Sequence, residues 1–200
     1  MTNAGREVEI KVAVADIGQT QRLLDAAGFR VSKPRVFEDN IVYDTPDRTL
    51  RGGGRLLRVR RCGTRALLTY KGPAAPGKHK SREELEMELA DAGGFETILT
   101  RLGYEPSFRY QKYRTEYEQA GEAGIVTLDE TPIGNFLEIE GAPDWIDQAA
   151  ERLGFRESEY ILASYAALYM RYREEHPEVD HPEAPSGMTF AGTTPPGHSV

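Results

Sequence analysis

Stretch after stretch of this chain alternates apolar and charged side chains with a period of two, and no other feature restricts its fold so tightly. In REVEIKVAV, residues 6–14, an extended backbone puts Glu7, Glu9 and Lys11 on one face and Val8, Ile10 and Val12 on the other. The same split recurs downstream. Leu57 and Val59 oppose Arg58 and Arg60, Leu68 and Tyr70 oppose Thr69 and Lys71, and Leu85, Met87 and Leu89 oppose Arg82, Glu84, Glu86 and Glu88. Tyr113, Thr115 and Tyr117 oppose Lys112 and Arg114, Val126 and Leu128 oppose Thr127 and Asp129, and Leu137 and Ile139 oppose Glu138 and Glu140. One such strand reads as half-buried, with its polar face in solvent. Taken together they read differently, because solvent faces mix Thr, Ser, Gln and Lys, whereas Arg and Glu dominate here. The signs also segregate by strand: 58–60 and 112–114 are basic, 129 and 138–140 acidic.

Helical patterns separate these strands. DIGQTQRLLDAAGF offers Asp16 as N-cap and Gly28 beyond the C-terminus, FETILTRLGY ends at Gly103, and PDWIDQAAERLGF and EYILASYAALYMRYREE are amphipathic. RLLRVRRCGTRALLTYKGP reads as a hairpin turning at Gly63, residues 30–45 as an extended stretch broken by Pro34, and PAAPGKHK as a loop. The class is α+β. If the strands close into a barrel, their apolar faces pack outward against the helices and their charges point inward.

The totals set limits on function. Two hundred residues, 39 % hydrophobic and 28 % charged, suit one domain. A lone cysteine, Cys62, excludes a disulfide framework and a cysteine-ligated metal. No apolar run reaches membrane-spanning length and no export signal opens the chain, so a cytoplasmic protein without a membrane partner is expected. Of the net charge of −7, Glu174, Glu175, Glu178, Asp180 and Glu183 contribute five, leaving −2 for residues 1–173. Such a body has no global basic field, and nucleic acid is not an expected partner. Residues 174–200 are acidic and rich in Pro and Gly, and are expected to form a disordered tail. His79, His176, His181 and His198 fall in loops and tail and are not expected to ligate or catalyse. GGGR at 52–55 lacks the Lys-Ser end of a phosphate-binding loop.

Charges facing the inside of a barrel must meet opposite charges, either in the wall or on a ligand. Arginines match phosphate oxygens bidentately, lysine adds a point charge, and carboxylates hold hard divalent ions such as Mg²⁺ or Mn²⁺. A metal-bound, phosphate-rich ligand in a central cavity meets that demand.

EVEIK resembles the E-x-E-x-K signature of the CYTH superfamily, the triphosphate tunnel metalloenzymes. The resemblance continues in order through YDT (43–45), LRVR (57–60), LTYKGP (68–73), REELE (82–86), KYR (112–114), LDE (128–130), FLEIEG (136–141) and SYAAL (164–168). It covers residues 6–173, with the tail from 174 to 200 outside. It implies an eight-stranded antiparallel β-barrel, a tunnel open at both ends, with helices outside. It also implies that Glu7, Glu9, Asp129, Glu138 and Glu140 ligate Mg²⁺ or Mn²⁺. Arg58, Arg60, Lys71 and Arg114 would clamp the triphosphate with Arg82 and Lys112 beside them, Lys11 would orient or activate the nucleophile, and Glu84 and Glu86 would complete the lining. The substrate expected is a small triphosphate: ATP, tripolyphosphate or thiamine triphosphate.

A class IV adenylate cyclase-like reaction, ATP to cyclic AMP and pyrophosphate, is the leading reading, and the resemblance allows a homodimer. Inorganic or thiamine triphosphatase is the alternative; YILASYAAL carries no counterpart of the lysine that some thiamine triphosphatases place on the C-terminal helix. A non-catalytic polyphosphate or nucleotide binder is a third reading, and five carboxylates that would repel its ligand count against it. The loop at 72–80, with Lys78 and Lys80, is placed to close over a tunnel mouth.

Overall fold

The computed structural model describes residues 3–178 and 187–190. In chain order the elements are β1 (Asn3–Val14), α1 (Ile17–Ala26), β2 (Arg30–Asp44), α2 (Thr49–Gly52), β3 (Leu56–Cys62), β4 (Arg65–Lys71), β5 (Lys80–Leu89), α3 (Ala92–Arg101), β6 (Glu105–Glu118), β7 (Ile125–Thr131), β8 (Gly134–Glu140), α4 (Pro143–Arg152), a 3₁₀ turn (Glu157–Glu159), α5 (Tyr165–Glu175) and β9 (Gly187–Met188).

β1 to β8 close into an antiparallel barrel. The ladder runs β2-β3-β4-β5-β1-β8-β7-β6, and β6 returns to β2. Long strands bridge the two halves: β1 pairs with β5 through residues 3–9 and with β8 through residues 9–14. β2 spans the length of β6, with register shifts on both sides of Lys33 that absorb Pro34, which has no N–H to give the ladder. β3 and β4 meet at a two-residue turn in which Gly63 takes φ of 58°, a conformation that suits a residue without Cβ.

The apolar faces point outward, as the alternation predicts. Ile10, Val12, Val126, Leu128, Leu137 and Ile139 are fully enclosed against Leu24 of α1 and Ile146, Ala149 and Ala150 of α4, with Phe29 and Leu153. α3 covers a second patch through Leu99, Tyr43 and Val59, and α5 a third through Tyr165, Tyr169, Tyr110 and Phe136. The first two clusters lie outside the barrel, between its wall and the helices, whereas the third is built on inward faces: Tyr110 shares its side of β6 with Lys112 and Arg114, Phe136 shares its side of β8 with Glu138, and Tyr110 and Tyr165 line the interior. Asp16 and Asp91 cap α1 and α3 by accepting from the backbone N–H groups of Gln19 and Gly94.

Two segments differ from the sequence reading. α5 begins at Tyr165 after the N-cap Ser164, not at Glu159, because the backbone of Ile161 pairs with Lys11 in both directions, at 3.1 and 2.8 Å. That pairing continues the edge of β1 beyond the point where β5 ends. Within the stretch expected to be a disordered tail, Gly187–Met188 pairs in parallel with Arg109–Tyr110 of β6. The reason is apolar: Met188 is enclosed with Tyr110, Phe136, Tyr165 and Tyr169, and Phe190 lies against Phe37 and Tyr113. At the start of that stretch Glu174 and Glu175 still belong to α5, and 179–186 and 191–200 lie outside the described residues.

Candidate active site

The inward faces enclose a cavity of about 820 Å³ that carries charge along its length. Glu7, Glu9 and Lys11 of β1, Arg58 and Arg60 of β3, Lys71 of β4, Arg82, Glu84 and Glu86 of β5, Lys112 and Arg114 of β6, and Glu138 and Glu140 of β8 all line it. Every predicted site residue except Asp129 therefore reaches one space. That follows from the period of two: once Ile10 and Val12 take the outer face, Glu9 and Lys11 have only the inner one.

The cations are held by partners. Arg58 donates to the Tyr110 hydroxyl at 2.9 Å and to Thr69 Oγ1 at 3.0 Å. Arg60 donates to Asn40 Oδ1 at 3.0 Å and Glu38 Oε1 at 3.2 Å. Lys71 contacts Glu7 and, at 3.1 Å, Glu84, while Arg82 donates to Glu7 at 3.1 Å. Lys11 lies between Glu9 at 3.3 Å and Glu138 at 3.2 Å. Such pairing lets buried charges persist.

Asp129 is the exception. It is fully enclosed and faces Lys112 Nζ at 2.8 Å, Arg114 at 2.7 and 2.6 Å, and the Tyr165 hydroxyl at 2.6 Å. It stands behind the lining and holds Arg114, which also reaches Glu138.

Protonation follows from this crowding. Burial would lower the Lys11 ammonium, but Glu138 and Glu9 outweigh it and push its pKa up, so Lys11 is a cation at neutral pH. Burial would raise the Glu9 carboxyl; Lys11, Lys80 and Lys71 outweigh it and hold Glu9 well below the usual range. Glu38 is held at about 2: burial opposes this, and Arg60, Lys112, Arg114 and Arg58 prevail. Glu140 goes the other way, up to about 7, through desolvation first and the charges of Glu7, Glu9 and Glu84 after it, against the pull of Lys71.

The fit to a divalent ion is a matter of donor chemistry. Glu7, Glu9, Glu84 and Glu140 crowd hard oxygen donors together; neighbouring cations hold Glu7 and Glu9 ionised, whereas burial and the other carboxylates push Glu84 and Glu140 up and leave these two short of positive charge. Among the described residues no three acidic, His or Cys side chains converge closely enough to hold an ion as they stand. Lysines stand between the carboxylates, and an ion would have to displace them.

Five participants were not singled out from the sequence: Glu38, Asn40, Thr69, Tyr110 and Tyr165. Glu38 and Asn40 share the alternation of β2 with Val42, a signal interrupted upstream by Pro34. Lys80 reads as loop in the sequence and instead opens β5, 8 % exposed, with its ammonium 2.7 Å from Glu9. The short α2, against β2 and β3, has no signature in the sequence pattern; Asp44 builds it by accepting from the backbone N–H groups of Thr45, Leu50 and Arg51.

The profile of the CYTH domain matches residues 5–164. The chain belongs to the CYTH family. A protein from Methanocaldococcus jannaschii named "Putative adenylate cyclase" is 33 % identical over 135 residues, 67 % of this chain and 75 % of that one. A CYTH-like barrel from Vibrio parahaemolyticus, an adenylate cyclase candidate by its description, superposes with a TM-score of 0.71 at 24 % identity, covering 82 % of this chain and 97 % of that one. A Hippeastrum protein, described as an adenylyl cyclase candidate with dominant triphosphatase activity, superposes with a TM-score of 0.58 at 17 % identity, covering 84 % and 96 %. At those two identities the likeness is one of fold. No helix among the described residues of this CYTH chain is long and apolar enough to cross a membrane.

Proposed function

We propose that this CYTH protein is a divalent-metal-dependent enzyme that acts on a triphosphate inside its tunnel, with ATP converted to cyclic AMP and pyrophosphate as the leading reaction. One observation carries the reading: Arg58, Arg60, Lys71, Arg82, Lys112 and Arg114 share a single cavity with Glu7, Glu9, Glu138 and Glu140. Its volume of about 820 Å³ falls in the range of small-molecule sites, roughly 300–1,000 Å³. A pure anion binder gains nothing from those carboxylates, whereas phosphoryl transfer uses both signs.

Glu7, Glu9, Glu138 and Glu140 would hold the ion, Mg²⁺ or Mn²⁺, and Asp129 would act by fixing Arg114. When bound, the ion polarises a phosphoryl oxygen as a Lewis acid. The remaining work falls to the chain itself. Arg58, fixed by Tyr110 and Thr69, and Arg114, fixed by Asp129, present donors that need no reorganisation as charge builds on the phosphoryl oxygens. Lys11, held cationic by Glu138 and Glu9, orients the attacking oxygen and stabilises its charge. In a cyclase the ribose 3′-hydroxyl attacks the α-phosphorus and pyrophosphate leaves.

Near α2 the cavity lining includes the apolar Val42, Leu56 and Phe108 together with Arg48, Arg51 and Arg55, a mixture suited to a nucleoside. Another observation there favours a second reading, orthophosphate release from tripolyphosphate or thiamine triphosphate. Two hydroxyls of that lining are partly engaged: Ser107 donates to the Val42 carbonyl and Ser164 accepts from Ala167. Neither hydroxyl has its full set of donor and acceptors free for a base edge, so a triphosphate without a base also fits.

The deciding experiment incubates the protein with ATP, tripolyphosphate and thiamine triphosphate in Mg²⁺ and in Mn²⁺ and separates the products. Cyclic AMP with pyrophosphate supports the cyclase, and orthophosphate supports the triphosphatase. No turnover of any of the three would overturn the enzymatic reading for these substrates.

A further inference from the structure

We propose that Lys80 is a resident cation on Glu9 that a divalent ion displaces, and that the freed ammonium then serves as a donor to the substrate's phosphate. The inference rests on the reading above that Glu9 ligates a metal, and it adds a residue outside the motifs that led to that reading.

Three cations converge on one oxygen. Glu9 Oε1 lies 2.7 Å from Lys80 Nζ, 3.3 Å from Lys11 Nζ and 3.8 Å from Arg82 Nη2. Two of the three have other commitments: Lys11 also pairs with Glu138 at 3.2 Å, and Arg82 also pairs with Glu7 at 3.1 Å. Lys80 makes no second ion pair among the described residues. It is also the nearest of the three, because Lys80 of β5 is the cross-strand partner of Glu9 in β1. A carboxylate cannot give the same lone pairs to an ammonium and to a metal. When Glu9 turns to an ion, Lys80 loses its one ion-pair partner among the described residues, whereas Lys11 and Arg82 each still face a second carboxylate, Glu138 and Glu7, with an oxygen to share between cation and ion.

The main chain around Lys80 is fixed, so the side chain alone has to move. Ala75 and Ser81 are joined by a backbone hydrogen bond of 2.7 Å. On the outer surface Lys78 pairs with Asp147 at 3.1 Å and Glu157 at 3.0 Å, and His79 contacts Asp147 at 2.9 Å. From this anchored base the lysine stem swings within the cavity that Lys80 lines together with Arg58, Lys71 and Arg82. A mobile ammonium released among those groups finds an anion only when phosphate is present. Metal and phosphate then assist each other, by way of one side chain biased by both.

The test uses Mn²⁺ alone on substrate-free protein, with bound metal read from the loss of the free-ion electron paramagnetic resonance signal. Lys80→Met, which keeps the stem and removes the charge, is expected to bind Mn²⁺ at least about fivefold more tightly than the wild type. Lys80→Arg is expected to bind like the wild type. Equal or weaker binding by a folded Lys80→Met overturns the inference, while loss of binding in Glu9→Gln separately confirms the metal reading. If neither the wild type nor Lys80→Met binds Mn²⁺, the metal reading fails and takes this inference with it. A second measurement needs no charge-removing variant. In wild-type protein carrying ¹³Cε-lysine, Mg²⁺ should shift the Lys80 signal and leave that of Lys78 in place; a stationary Lys80 signal overturns the inference.

Discussion

Arg114 grips Asp129 with two near-parallel N–H···O bonds of 2.7 and 2.6 Å, and the pair sits beneath the tunnel surface, where Asp129 has no exposure at all. The arginine faces the cavity and the aspartate holds it from behind. With the function proposed above, this geometry makes Asp129 a scaffold residue that positions Arg114 rather than a group that lines the cavity.

Asp129→Asn should therefore destabilise the protein even without metal or substrate. It leaves Lys112, 1 % exposed, and Arg114 short of their buried counter-charge, and breaking a buried pair costs roughly 3–5 kcal/mol. Denaturant unfolding in the presence of chelator checks this. Unchanged stability would return Asp129 to the role of a simple metal ligand.

Tyr165→Phe isolates the hydroxyl that donates to Asp129 at 2.6 Å while keeping the ring beside Lys11 and Lys112, 5.5 and 5.1 Å from its centroid. Loss of a hydrogen bond to a charged group costs about 1.5–3 kcal/mol. The expected result is that much stability lost, with weaker tripolyphosphate binding in calorimetry as Arg114 loosens.

Stability should fall in acid through Glu38. Its folded pKa, about 2, lies below the ordinary 4.5, so its contribution is complete above pH 4.5 and lost as pH falls towards 2. A depression of that size corresponds to about 3 kcal/mol. Glu38→Gln should flatten this part of the stability profile, measured by urea unfolding at a series of pH values. A mutant curve parallel to that of the wild type would remove Glu38 as the cause.

Truncation after Glu178 removes Met188, which is fully enclosed, and Phe190, which packs on Phe37 and Tyr113. Loss of a buried methionine side chain costs about 2–5 kcal/mol, which for a chain of this length lowers Tm by roughly 5–15 °C. Gly187→Ala should weaken the same contact, because a Cβ there runs into the Arg109 carbonyl oxygen. A truncated protein that melts with the wild type would show that the strand adds nothing.

The lining was legible in the sequence wherever the alternation was unbroken. Glu9 and Arg58 need no homologue to be placed inward, because Ile10 and Val59 beside them are claimed by the outer core. What stayed hidden depends on pairing between distant residues. Lys80 follows a run rich in Pro and Gly and reads as loop; only its register with Glu9, 71 residues away, brings it into the wall. Tyr165 fits an amphipathic helix as core, and nothing local reveals that its hydroxyl reaches Asp129. Ile161 reads as helix until Lys11 supplies backbone hydrogen bonds that a helix would otherwise provide. Met188 sits among residues of disordered composition, and its burial depends on a space between β6 and α5 that local periodicity does not describe.

Most of the apolar packing of this protein lies on the outside of its barrel, against α1, α3 and α4, while α5 packs its tyrosines on the inward-facing Tyr110 and Phe136. Away from α5 the interior is thereby released from filling volume, the task that fixes side-chain size in most barrels of eight strands. A change of one charged inner residue there alters charge or reach in the tunnel and leaves the greasy seam between wall and helices untouched. The lining can consequently be retuned on one surface of each strand while most of the folding is written on the other.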